Sequence, residues 1–234
     1  MENNRDPKRW VKELRGRRSA ARPVPSQATE RDPGHCSIRI THSDGKNIEV
    51  EYVTLLANRP RSYENFFAIW ESFVVPWGVK PEYRKPVESD VSAGTQNLKI
   101  NVTLEPYTIA YCTGPEVTDA CTYVTLPPAR AVTAPSSVTI AADEISLQKL
   151  VIGYRTLYGY LPRRYGNWVG LWRGLASPYN APKPLARAKP GNASEGNLVM
   201  DGLSLDPDSV HTLIYFMEKS RTSAAAMCTF RTPG

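Results

Sequence analysis

A stretch of this chain occurs twice. At an offset of 102 positions, Tyr52, Thr54, Leu55, Pro60, Arg61, Tyr63, Asn65, Trp70 and Pro76 fall on Tyr154, Thr156, Leu157, Pro162, Arg163, Tyr165, Asn167, Trp172 and Pro178 without a gap. The similar pairs Ala68/Gly170, Ile69/Leu171 and Trp77/Tyr179 lie in the same frame. An internal duplication of this kind requires one compact unit to be built twice, and it marks the residues that outlasted divergence of the copies. In a chain of 234 residues it implies two units of about 95 residues, each just large enough for a core of its own. Two copies are too few for a solenoid.

The texture of each copy is β. Short apolar or alternating runs at 37–41, 48–56, 65–72, 98–104, 107–113 and 121–126 have counterparts at 138–141, 147–157, 167–174, 198–205, 211–217 and 227–231. His42-Ser43-Asp44-Gly45 between the first two carries the Asp-Gly pair of a tight hairpin. About six short strands per ~95 residues, with frequent turn signals and no helical periodicity, predict a small antiparallel β-sandwich. The fold class expected is therefore all-β, with two tandem immunoglobulin-like sandwiches at 36–128 and 136–234, a stiff proline-bearing linker at 129–135, and a basic arm at 1–35. Each copy also holds a long proline-bearing excursion, 76–94 and 176–194, read as a surface loop suited to partner contacts.

In the arm, Asp6-Pro7 reads as a helix cap, and Trp10, Val11 and Leu14 give a short apolar stripe, so a helix is expected over 7–15 before Gly16 stops it. The polar stretch from Arg17 to His35 is expected to be flexible. Residues 1–35 hold nine Lys or Arg against five acids, a net +4 of the chain's +6. Lys8, Arg9, Lys12, Arg15, Arg17, Arg18 and Arg22 are the expected contacts for a nucleic acid or another acidic surface, bound by charge without sequence readout.

Met1 is followed by Glu2, Asn3, Asn4, Arg5 and Asp6, the opposite of an apolar leader, and no run approaches the ~20 apolar residues that cross a bilayer. The expectation is a soluble protein without a signal peptide, cytoplasmic or exported by a leaderless route. The triplets at Asn101 and Asn192 would then never meet the glycosylation machinery. Cys36, Cys112, Cys121 and Cys228 lack metal-ligand spacing, so no metal is expected. Cys112 and Cys121 flank a hairpin, where either a bridge in an oxidising compartment or two buried thiols would fit.

Two segments carry a family resemblance. Leu104-Glu105-Pro106 running on to Tyr111, and Leu205-Asp206-Pro207 running on to His211, resemble the Leu-x-Pro-x-x-x-Tyr segment of fibronectin type III domains. Ala110 takes the tyrosine place in the first copy and His211 in the second, where a half-buried ring is expected. Gly166-Asn167-Trp168-Val169-Gly170-Leu171-Trp172 is similar to the Asp-Trp-Ile-Gly-Leu-Tyr/Phe strand of SKICH-type immunoglobulin-like domains, with asparagine for aspartate. Both resemblances imply tandem immunoglobulin-like sandwiches. Neither transfers a binding residue, because function resides in sites and not in folds.

No Gly-x-Ser-x-Gly, His-Glu-x-x-His, phosphate loop or dinucleotide glycine pattern is present, so neither enzymatic activity nor a cofactor is expected. The repeated aromatic strand offers two readings. It is a central core strand pinned by tryptophan, or an outer platform on which Trp70, Trp168 and Trp172, flanked by Arg61, Tyr63 and Asn65 or by Arg163, Tyr165 and Asn167, stack a sugar or clasp a peptide. The function expected is a non-enzymatic binding or assembly protein recognising a protein or carbohydrate. The rival is a coat or shell subunit whose arm binds nucleic acid.

Overall fold

The structure, a computed structural model, describes residues 34–126 and 137–234. The first copy folds as β1 (Ser37–Ser43), β2 (Asn47–Val53), β3 (Phe66–Trp70), β4 (Tyr83–Pro86), β5 (Ala93–Lys99), β6 (Tyr107–Cys112) and β7 (Ala120–Leu126). The second gives β8 (Thr139–Ile145), β9 (Lys149–Arg155), β10 (Trp168–Arg173), β11 (Ala186–Ala188), β12 (Glu195–Asp201), β13 (Val210–Phe216) and β14 (Ala224–Arg231). Each copy is a three-stranded sheet, β1-β2-β5 or β8-β9-β12, packed on a four-stranded one, β4-β3-β6-β7 or β11-β10-β13-β14, with every pairing antiparallel. The expected all-β class and pair of sandwiches are thus what the chain forms. The helix expected at 7–15, the polyanion contacts and the linker at 129–135 lie outside the described residues. Among the described residues no helix is long and apolar enough to cross a membrane.

Alternation builds the three-stranded sheets. In β2, Ile48, Val50 and Tyr52 turn inward and are buried, while Asn47, Glu49, Glu51 and Val53 between them keep partial access to water. β3 is buried along its whole length because both faces of its sheet are covered. Phe67 and Ile69 enter the main core. Phe66, Ala68 and Trp70 pack with Val75 from the following loop and with Leu157, contributed by the second sandwich.

Several strand boundaries differ from the sequence reading. β4 and β11 lie inside the excursions read as loops, since an edge strand of three or four residues carrying lysine, arginine or proline has no apolar run to betray it. β5 and β12 begin several residues before the runs expected at 98 and 198, because their first halves are polar and exposed. Leu104, taken as the leucine of the fibronectin-like segment, is fully exposed. Val102 occupies the place of Leu205: the Val102 amide donates to Gly45 O at 3.1 Å and the Leu205 amide to Leu147 O at 2.9 Å. The corner role belongs to Tyr107, whose hydroxyl accepts from the Thr103 amide at 3.2 Å and so ties the strand back to the backbone just upstream. His211 replaces it in the second copy, fully buried where half-burial was expected, with Nδ1 3.3 Å from Ser209 O and its ring stacked on Phe230.

All four cysteines are free. Cys112 lies opposite Ala120 in the β6–β7 register, which puts Cys121 on the other face of the sheet, so a bridge between them would require the ladder to break. Burial raises both thiols well above the ordinary thiol range and pushes Cys228 up to about 11. A thiol reagent at pH 7.5 is expected to label less than one cysteine per native chain and all four after denaturation; rapid labelling of two in the native state would show this packing to be wrong.

Candidate functional site

Both sandwiches belong to one compact unit, and they are joined reciprocally. The residues leading into β1 lie along the free edge of β14, where the Cys36 amide donates to Ala225 O at 3.0 Å. Those leading into β8 lie along the free edge of β7, where the Val138 amide donates to Cys121 O at 2.8 Å. Short antiparallel bridges, His35 with Ala226 and Ser137 with Thr122, accompany these bonds. Each sandwich therefore covers the exposed last strand of the other, an edge that would otherwise invite pairing with foreign chains.

Equivalent residues meet across this seam in pairs. Tyr63 stacks on Tyr179 with centroids 5.3 Å apart, and the positions related by the repeat, Tyr165 and Trp77, approach to 6.4 Å. The seam is thus a pseudo-twofold interface, and its two ends have diverged. At one end Trp77 meets the edge of Tyr160 at 4.8 Å, and Tyr160 lies 5.0 Å from Tyr165. Trp77 Nε1 donates to Tyr158 O at 2.7 Å, and the Tyr160 hydroxyl donates to Thr118 O at 2.7 Å. That end is packed shut. At the other end Tyr179 stands for Trp77 and Asn58 for Tyr160, and the lost ring volume leaves a cleft of about 530 Å³.

The cleft is lined by Ala57, Asn58, Arg59, Tyr63, Asp90, Val91, Ser92, Tyr179 and Asn180. Asn58 is only 2% exposed, its Nδ2 donates to Asn65 Oδ1 at 2.9 Å, and its Oδ1 has no hydrogen-bond partner. Asp90 accepts from the Ser62 amide at 2.8 Å and the Ser62 hydroxyl at 2.7 Å, with Arg59 at 3.5 Å. The Ser62 bonds, then Arg59 and Arg61, hold its carboxyl below the usual aspartate range, so it is an anion at neutral pH. Ala57 has φ of +67°, a left-handed conformation that the equivalent Gly159 adopts without a Cβ at +69°. A strained non-glycine residue on a cleft wall is a mark that functional sites often carry.

The residues singled out in the sequence are located elsewhere or serve the scaffold. Trp70 and Trp172 are each 1% exposed, and their indole N–H groups donate to Val79 O at 3.0 Å and Pro182 O at 2.9 Å. Trp168 is stacked on Phe216 at 4.1 Å beneath Arg187. An outer platform of these rings is therefore corrected to an interior one: the face expected to be open is covered. Asn65 and Asn167 are fully buried. Their Oδ1 atoms accept from Tyr111 at 2.9 Å and Tyr215 at 2.8 Å, while their Nδ2 atoms donate to Tyr63 O and to the Tyr160 hydroxyl. Aspartate could not donate, which accounts for the amide in both copies. Gly170 lets Trp168 and Trp172 close in, since a Cβ there would lie 2.4 Å from the Trp172 ring; the first copy pairs Ala68 with the smaller Phe66. Arg61 and Arg163 are exposed, and Tyr63 and Tyr165 are half-buried in the seam. Of the nine residues expected to bind ligand, the structure brings only Tyr63 to the cleft. Asn58, Arg59, Asp90 and Tyr179 were missed, although the mismatch of Asn58 with Tyr160 was visible in the repeat alignment.

The fold and seam define a tandem β-sandwich protein with one open and one closed end. No protein-family model matches the chain, and neither does any curated protein. Among the solved structures that match is one described as the structural basis of neurohormone perception by the receptor tyrosine kinase Torso. It is 12% identical, with a TM-score of 0.25 over 84% of this chain and 72% of that one, a likeness that adds nothing to the geometry.

Proposed function

We propose that the chain is a non-enzymatic binding protein that recognises a protein or carbohydrate partner at the open end of the seam. The observation that carries this reading is the asymmetry of the pseudo-twofold: one end is filled by Trp77, Tyr160 and Tyr165, while the equivalent end keeps a polar cleft with a buried, unpartnered Asn58 oxygen. A role as scaffold alone would favour closing both ends alike, since an unmatched buried acceptor costs about 1–3 kcal/mol. Asp90, an ion held by serine and arginine, is suited to recognition and not to proton transfer near neutral pH.

Copying the closed end onto the open one tests the proposal. The double variant Asn58→Tyr with Tyr179→Trp is expected to fold with unchanged or higher thermal stability and to lose partners that the wild-type chain retains from a glycan array and a peptide library. Equal retention by both proteins would remove the cleft from consideration.

A further inference from the structure

We infer that the open cleft takes a neutral saccharide unit, an inference that rests on the cleft being the binding site. The charge balance within the cleft argues for a neutral ligand. Arg59 and Asp90 face each other at 3.5 Å, so neither an anion nor a cation meets an uncompensated partner there. What remains is hydrogen-bonding capacity in both senses. The Asp90 oxygens keep lone pairs beyond those used by Ser62. Arg59 and Asn180 supply donors at the rim. A sugar hydroxyl donates and accepts at once, and adjacent hydroxyls can engage the Asp90 carboxylate and the Arg59 guanidinium together.

The Tyr63–Tyr179 pair provides the other half of such a site, aromatic surface beside the polar wall against which the C–H face of a sugar ring can lie. The volume of about 530 Å³ falls within the ~300–1,000 Å³ of small-ligand sites and leaves room for one or two rings. A peptide fits less well. The lining comes from residues 57–63, 90–92 and 179–180, which lie in turns and connections, so no strand edge borders the cleft for an extended peptide to extend.

The test uses the full chain and an array of neutral and acidic oligosaccharides, followed by calorimetric titration of the best neutral binder. Binding is expected to a neutral glycan, with affinity reduced at least tenfold in Arg59→Ala, whose side chain is largely exposed, and in Tyr179→Trp, with folding of both checked by thermal melts. If Tyr179→Trp fails to fold, Asp90→Ala replaces it. Peptide binding that these variants weaken, with no neutral glycan bound, would overturn the saccharide and leave the cleft in place. Glycan binding that no variant weakens, or binding of neither class, would overturn both.

Discussion

Replacing Trp172 by alanine is expected to cost about 3–5 kcal/mol, the range for deleting a large buried aromatic side chain. The side chain is 1% exposed, lies 6.1 Å from Phe216 and 6.3 Å from Trp168 by ring centroids, and gives its indole proton to Pro182 O. Alanine leaves a cavity and removes the donor that Pro182 O accepts from. Total stabilities of about 5–15 kcal/mol make such a loss a large fraction of what holds the chain folded. Because each sandwich covers the last strand of the other, the effect should not stay within the second copy. Urea denaturation followed by tryptophan fluorescence should show one transition, moved to lower urea by Trp172→Ala and by Trp70→Ala alike. Two transitions, only one of them moved by each variant, would show that the sandwiches unfold independently.

Substituting Asp119 by asparagine should act in the opposite direction, and only above mildly acidic pH. Asp119 caps the one-turn helix Val117–Asp119, with Oδ2 accepting from the Glu116 amide at 3.0 Å. Burial pushes its carboxyl from the ordinary 3.8 up to about 7, opposed by the Glu116 amide and reinforced by Glu218 and Glu116. The folded state therefore holds this proton more tightly than the unfolded one. Its contribution is complete below about pH 4, is lost as pH rises towards about 7, and is flat beyond. At ~1.4 kcal/mol per factor of ten, the change amounts to at most about 4 kcal/mol. Asparagine keeps the acceptor and removes the charge. Stability should match wild type near pH 4 and exceed it by several degrees in melting temperature at pH 8. A difference that does not vary with pH would show that Asp119 is not buried as an acid.

The sequence revealed the architecture through its repeat and its alternating strands, because both are written in apolar periodicity. The edge strands β4 and β11 stayed hidden: one edge of each is solvated, and Lys85, Pro86 and Arg187 are compatible with a loop. The candidate site was concealed for a different reason. Among the residues retained in both copies, Asn65 and Asn167 and Trp70 and Trp172 are required by both interiors and are buried, whereas Arg61 and Arg163 are exposed. The cleft arises from positions where the copies disagree: Asn58 against Tyr160, Arg59 against Leu161, Tyr179 against Trp77. The retained tryptophans and asparagines serve the interiors, and the asymmetry of the seam comes from positions at which the copies differ. Only the juxtaposition of positions far apart in the chain, such as Tyr63 with Tyr179, shows that those differences share one end of the seam.

The reciprocal covering of β7 and β14 also bears on symmetry. An interface in which each half gives the other the same segment, and in which Tyr63 meets Tyr179 as Tyr165 meets Trp77, is the geometry of a twofold homodimer. Two separate copies of one sandwich meeting in this way would present two identical ends. Two identical subunits cannot vary one end of their interface without varying the other. A single chain carries no such constraint, and here one end is clamped by Trp77, Tyr160 and Tyr165 while its twin holds a cleft.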